Sequence, residues 1–259
     1  MLAAEHGLLD VLRALWGKGA NVNANEADVT ALHMAIARKQ RTVALYLINE
    51  APGLDMDAPI SGGNTPLMLA TAHRLVDVLR ALVAKDANVN AKNEQGFSAL
   101  HLAISEKQRA AALYLINEAP GVDIDAPESS GTTPLMLAAA HGLVGVLRAL
   151  VAKGANVNAK NKRGFSALHK AIVRNQRAAA LYLINEAPGV DIEALDGRKR
   201  TVIILVASVG DVAVMKALVD KDADVNTKND LGRHAAACGH PKGAGGGGAL
   251  FGRRGGGGV

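Results

Sequence analysis

The chain repeats itself, and nothing else about it restricts the possible folds as strongly. SALHLA at Ser98 recurs as SALHKA at Ser166, and TPLMLA at Thr65 recurs at Thr133, each pair 68 residues apart. The two series interleave, so that Thr30, Thr65, Ser98, Thr133, Ser166 and Thr201 follow at intervals of 35, 33, 35, 33 and 35. A unit of about 34 residues is too small to bury its apolar side alone and must stack on its neighbours. The sequence therefore describes a tandem array.

Each unit carries the same local signals. A glycine-containing turn (Gly96-Phe97, Gly131-Thr132, Gly164-Phe165) precedes a Ser or Thr placed to cap a helix, whose first turn tolerates Pro66 and Pro134. Leu135, Leu137, Ala138 and Ala139 fall on the inner side of that helix, and the alanines let another helix come close. A second helix is predicted from about Leu143 to Ala152, with Val144, Leu147, Leu150 and Val151 at helical spacing and a stop at Gly154. The loop ANVNAKN leads on to the next turn. Aromatic residues make up 3% of the chain, and the apolar ones are mostly Ala, Leu, Val and Ile, which suits closely packed helices better than a β-sandwich.

These features resemble the ankyrin repeat family. Residues 133–161, TPLMLAAAHGLVGVLRALVAKGANVNAKN, follow its pattern nearly throughout, with Met136 where His is usual, whereas SALHLA and SALHKA keep that His at His101 and His169. The resemblance covers residues 1–230, about seven units. The first unit is expected to be truncated, because Met1 aligns with Met68 and Met136, leaving an apolar edge where terminal repeats normally carry a polar face. The family implies an all-α solenoid of stacked helix-turn-helix units with protruding loops or β-turns. It also implies a non-enzymatic interaction module or scaffold that binds a protein on its concave face. The alternative is the targeting or substrate-recruiting arm of a larger enzyme or ubiquitin-ligase-type adaptor.

Residues 231–259 depart from the pattern. LGRHAAACGH starts like another unit and gives way to a glycine-rich stretch holding most of the 12 glycines found after Leu231, a composition that predicts a flexible tail. That tail also carries four basic residues and no acid, which leaves the body with 25 basic against 24 acidic residues. The sequence pI of about 9.4 is thus no sign of a basic body, and nucleic acid is not the expected partner. No apolar run is long enough to span a membrane, no signal peptide is visible, and the single Cys238 can form no internal disulfide. An intracellular, cytoplasmic or nuclear, monomeric protein is expected.

Catalytic patterns are missing: there is no P-loop, GxSxG, HExxH or paired-cysteine spacing, so neither enzyme activity, cofactor, metal nor small-molecule substrate is expected. His33, His101 and His169 recur every 68 residues, too far apart in a stack to converge on one ion; the resemblance gives the imidazole a hydrogen-bonding role at the turn. Glu50, Glu118 and Glu186, in the recurring NEAPG, read as solvated helix ends, and Tyr46, Tyr114 and Tyr182, in ALYLIN, as core.

Comparison of the copies within the chain locates the variable positions. Residues 98–124 and 166–192 differ at four of 27 positions, Leu102/Lys170, Ser105/Val173, Glu106/Arg174 and Lys107/Asn175, all near the end of the first helix. By resemblance that end faces the groove, together with the residue preceding each Ser or Thr. Val29, Asn64, Phe97, Ser105, Glu106, Thr132, His141, Phe165, Val173 and Arg174 are accordingly the partner-contact candidates. Phe97 and Phe165 lie in turns among polar residues, either as interface anchors or as covers for a neighbouring loop. Arg163, Lys170, Arg174 and Arg177 make the later units more positive, matching an elongated protein ligand with acidic residues there and an apolar residue near each Phe.

Overall fold

The computed structural model describes residues 1–230 together with Gly232 and His234, so the expectation for the glycine-rich tail lies outside the described residues. The chain forms two compact units, one of residues 1–134 and one beginning at Leu135.

In the first unit, helices come in short antiparallel pairs. They are α1 (Leu2–Glu5) with α2 (Leu9–Gly17), α3 (Ala31–Ala37) with α4 (Arg41–Glu50), α5 (Pro66–Ala72) with α6 (Val76–Ala84), and α7 (Ala99–Ser105) with α8 (Arg109–Asn117). A two-stranded hairpin, β1 (Asn25–Glu26) and β2 (Val29–Thr30), precedes α3; Ala27 and Asp28 at its tip both have positive φ, as a tight primed turn requires. The second unit repeats the plan with α9 (Pro134–Ala140), α10 (Val144–Ala152), α11 (Ala167–Val173), α12 (Arg177–Asn185), α13 (Val202–Val209) and α14 (Val212–Asp220).

Helices of seven to ten residues are marginal in water by themselves, so caps and stacking must hold them. Two capping schemes alternate with the two repeat classes. In the SALH class the N-cap backbone N–H donates to Nδ1 of the His three residues on, at 3.0 Å for Thr30–His33, 3.2 Å for Ser98–His101 and 3.3 Å for Ser166–His169. In the TPLM class Thr65 Oγ1 accepts from Met68 N at 3.4 Å, and Pro66 occupies the first helical position, where its missing N–H costs nothing.

Stacking supplies the rest. In the first unit α3 packs on α4 and α5, α5 on α6 and α7, and α4 on α6; in the second, α11 packs on α12 and α13, and α12 on α10 and α14. Leu32, Ile36, Leu67, Met68, Leu100 and Ile104 fill the first core, and Leu147, Leu168, Leu183 and Ile203 the second. Ala35, Ala70 and Ala103 are fully buried, where small side chains permit the close approach of successive first helices. On α2, by contrast, Val11 and Leu15 are exposed, although their counterparts Val78 and Leu82 on α6 are buried.

The loops after the second helices are tied across repeats by one device used three times. Asn23, Asn90 and Asn158 donate through Nδ2 to the carbonyls of Gly53, Gly121 and Gly189, and accept through Oδ1 from the N–H of Asp55, Asp123 and Asp191. Each side chain closes two bonds over 30 to 33 residues of sequence. Asn158→Ala is expected to cost about 1–2 kcal/mol, because the bonds are solvent-accessible and water replaces part of each; a fall in urea midpoint with an unchanged slope is the measurement.

Tyr114 and Tyr182 are buried as the sequence suggests, and Tyr46 is half-buried. The guanidinium of Arg80 lies 4.4 Å from the Tyr114 ring centre and that of Arg148 lies 4.7 Å from the Tyr182 centre. Glu118 and Glu186, expected to be merely solvated, accept from those same arginines. Both pairs are exposed and add little by charge; the arginines' contribution is the cover they give the rings.

Candidate partner-binding face

Four of the turns before a first helix are built the same way. The backbone N–H of Asn93, Glu128, Asn161 or Asp196 donates to the carbonyl four residues later, on Phe97, Thr132, Phe165 or Arg200. The side chain of that first residue then accepts from the backbone N–H two and four residues on. These anchoring acceptors were not picked out from the sequence. Their signal is an Asn, Asp or Glu in the 35, 33, 35 register of the repeat, visible once the turn is seen to need an acceptor.

The anchors set local charge. Burial pushes the Asp196 carboxyl up, but the Arg200 side chain and the N–H groups of Arg200 and Arg198 outweigh it and hold the group below the usual carboxylate range. Glu128 is likewise held low against burial by hydrogen bonds from Ser130 and Thr132. Both are ionised and already occupied.

Phe97 and Phe165 close their turns half-buried, the ring of Phe97 meeting His101 at 5.7 Å and 69° and that of Phe165 meeting His169 at 5.9 Å. Each ring therefore covers its own capping histidine with one side and keeps another in solvent. Lys170 Nζ stands 5.9 Å from the Phe165 centre. At the far end of these helices Ser105 is half-buried, while Glu106, Val173 and Arg174 are exposed. Val29 and Asn64 are half-buried in the corresponding turns, Asn64 Oδ1 accepting from Asn93 Nδ2 at 3.0 Å; His141 is half-buried beyond α9.

Two expectations are corrected. Thr132 is only 4% exposed, because its N–H is held by Glu128 and its hydroxyl lies 2.8 Å from that of Ser130; it offers a partner almost no surface. Arg177 is not a free cation of the face: its Nε donates at 2.8 Å to Asp211, which caps α14.

The three histidines are structural. Their Nδ1 atoms accept at the caps, so the proton resides on Nε2, which in His33 donates to the Ala58 carbonyl at 2.9 Å. In His101 and His169 the buried Nε2 makes no hydrogen bond of good geometry, although the Ala126 and Ala194 carbonyls lie near enough to favour its proton. Burial lowers all three, His101 to about 4. Among the described residues no group of three or more His, Cys, Asp or Glu is placed to hold a metal, and no helix is long and apolar enough to cross a membrane.

Residues 52–128 and 118–196, which hold these paired helices and anchored turns, match the family model for ankyrin repeats (3 copies). The chain belongs to the ankyrin-repeat family. It is similar in structure to the ankyrin repeat domain of Bcl-3, described as a unique member of the IkappaB protein family, with a TM-score of 0.72 and 28% identity over 84% of this chain and 96% of that one. Among sequences it is 28% identical to Rabankyrin-5 of Mus musculus over 211 residues, 76% of this chain and 18% of that protein. It is also 28% identical to palmitoyltransferase AKR1 of Lachancea kluyveri over 206 residues, 76% of this chain and 27% of that protein. The chain thus spans about a quarter or less of these relatives. Ankyrin repeats generally mediate protein–protein interaction and are generally non-enzymatic.

Proposed function

We propose that this ankyrin-repeat chain is a non-enzymatic scaffold that binds a protein partner through the face formed, in each unit, by the turns and the ends of the first helices. The observation that carries the reading is the half-burial of Phe97 and Phe165 in the turns that open the two helices along which otherwise near-identical copies diverge, at Leu102/Lys170, Ser105/Val173 and Glu106/Arg174. An anchored ring with a solvent-facing side loses little entropy on contact and offers apolar area to a partner. Phe97→Ala with Phe165→Ala is expected to weaken partner binding about tenfold or more while far-ultraviolet circular dichroism holds. Affinity capture on the full chain and on this double variant checks it, and equal capture by both would sink the proposal.

A second reading makes the repeats the recruiting arm of a larger enzyme. The similarity to a palmitoyltransferase of which this chain covers only 27% favours it. It uses the same face and differs in what is attached.

A further inference from the structure

In the second unit the turn 161–164 and the turn 196–199 touch: Gly197 N donates to the Arg163 carbonyl at 2.9 Å. This brings two neighbouring tips together, one carrying Lys162 and Arg163 and the other Arg198 and Lys199, all four side chains exposed. Arg174, exposed at the end of α11, lies four residues after Lys170 and so on the same side of the helix. Among the described residues none of Lys162, Arg163, Arg174, Arg198 and Lys199 forms a salt bridge. Asp196, the carboxylate within these turns, is taken by Arg200 at 2.7 Å.

The first unit supplies an internal control. At the positions 68 residues earlier it has Glu94, Gln95, Glu106, Ser130 and Gly131, on turns of the same hydrogen-bonded form. The fold therefore does not require cations there. Unpaired like charges gathered on adjacent tips repel one another and create a local positive potential that an anion relieves.

We infer, building on the protein-binding reading above, that the paired tips 161–164 and 196–199 form a seat for a short acidic segment of the partner protein, with an apolar partner residue against the open side of Phe165 and with Arg174, at the far end of α11, extending the positive surface along the same side of the helix. Base stacking does not fit as well. The Phe165 ring has His169 on one side and Lys170 Nζ 5.9 Å from its centre, so its remaining open side suits one apolar side chain rather than a stacked run of bases. The cations also occupy two turns rather than a long track.

The test is fluorescence anisotropy on the full chain with a short labelled peptide of alternating glutamate and leucine, against a lysine-for-glutamate version and a labelled oligouridine. The variant carries the first unit's residues at the matched places, Lys162→Glu, Arg163→Gln, Arg174→Glu, Arg198→Ser and Lys199→Gly, so its turns retain a composition this fold already accepts. The acidic peptide is expected to bind the parent at least about tenfold more tightly than this variant, with the gap closing as salt rises. Lys18→Glu with Lys85→Glu, which changes no residue of the seat, should leave it unchanged. No binding to the parent, equal binding to the variant, or tighter binding of oligouridine overturns the seat. If capture dependent on Phe97 and Phe165 persists in any of those cases, the broader protein-binding reading stands and only the seat falls.

Discussion

On moving from pH 7 to pH 5 the chain is expected to lose about 2 kcal/mol of stability through His101 alone, with further loss through His33 and His169. All three pKa values are depressed by burial, that of His101 to about 4, against 6.5 for the free side chain. For a histidine lowered in this way the unfolded chain binds the proton more readily. The contribution is fully present above about 6.5, declines as pH falls through the interval between the two values, and is gone below the folded one. The structural reason is that Nδ1 already accepts the N-cap N–H of Ser98, so a second ring proton must displace that bond, while Nε2 lies in the core without a well-formed acceptor. Urea titrations at pH 7, 6 and 5 measure the slope. His101→Asn lowers stability at pH 7 and flattens the slope between 7 and 5; an unchanged slope in the variant would falsify the assignment to this residue.

How much of this was legible beforehand differs by type of contact. The register, the helix pairs, the Ser/Thr caps and the buried alanines follow from signals within one unit, where residues three or four apart on a helix share a face. Contacts between successive repeats are harder to see. Arg177 looks like a free cation until Asp211, 34 residues on, is found 2.8 Å away, and Glu118 looks solvated until Arg80 is found beside it. Thr132 occupies the place of Phe97 and Phe165 in the register, yet a small side chain there folds back on Glu128 and Ser130 instead of projecting. Half of the basic seat is legible in Arg163 and Arg174; the other half, Arg198 and Lys199, is not, because only the hydrogen bond from Gly197 to Arg163 brings that turn next to Lys162 and Arg163. A periodic sequence states what each unit is; the partner of each side chain is set by what stands one period away.

The same one-period dependence gives the second large effect. Gly164→Ala is expected to destabilise the second unit by about 3 kcal/mol or more. Its φ is +75°, and an added Cβ would lie 2.5 Å from Gly197 N and 2.9 Å from the Asp196 carbonyl carbon, both backbone atoms that cannot swing aside. The turns would have to separate, breaking the Gly197–Arg163 bond and loosening the Asp196 anchor of the following turn. The chain supplies its own comparison at Gly154, where φ is +88° but nothing lies within 4 Å of an added Cβ, and where the corresponding residue 68 positions earlier is Asp86 at φ +63°. Gly154→Ala should therefore cost only the left-handed conformation, about 1 kcal/mol. The turn position itself is Gly63, Gly96, Gly131 and Gly164, and becomes Lys199, at φ +54°, in the turn before α13. Chemical denaturation of the two alanine variants separates conformation from contact. Equal losses would mean that the backbone angle, and not the touching of successive turns, is what keeps this position glycine.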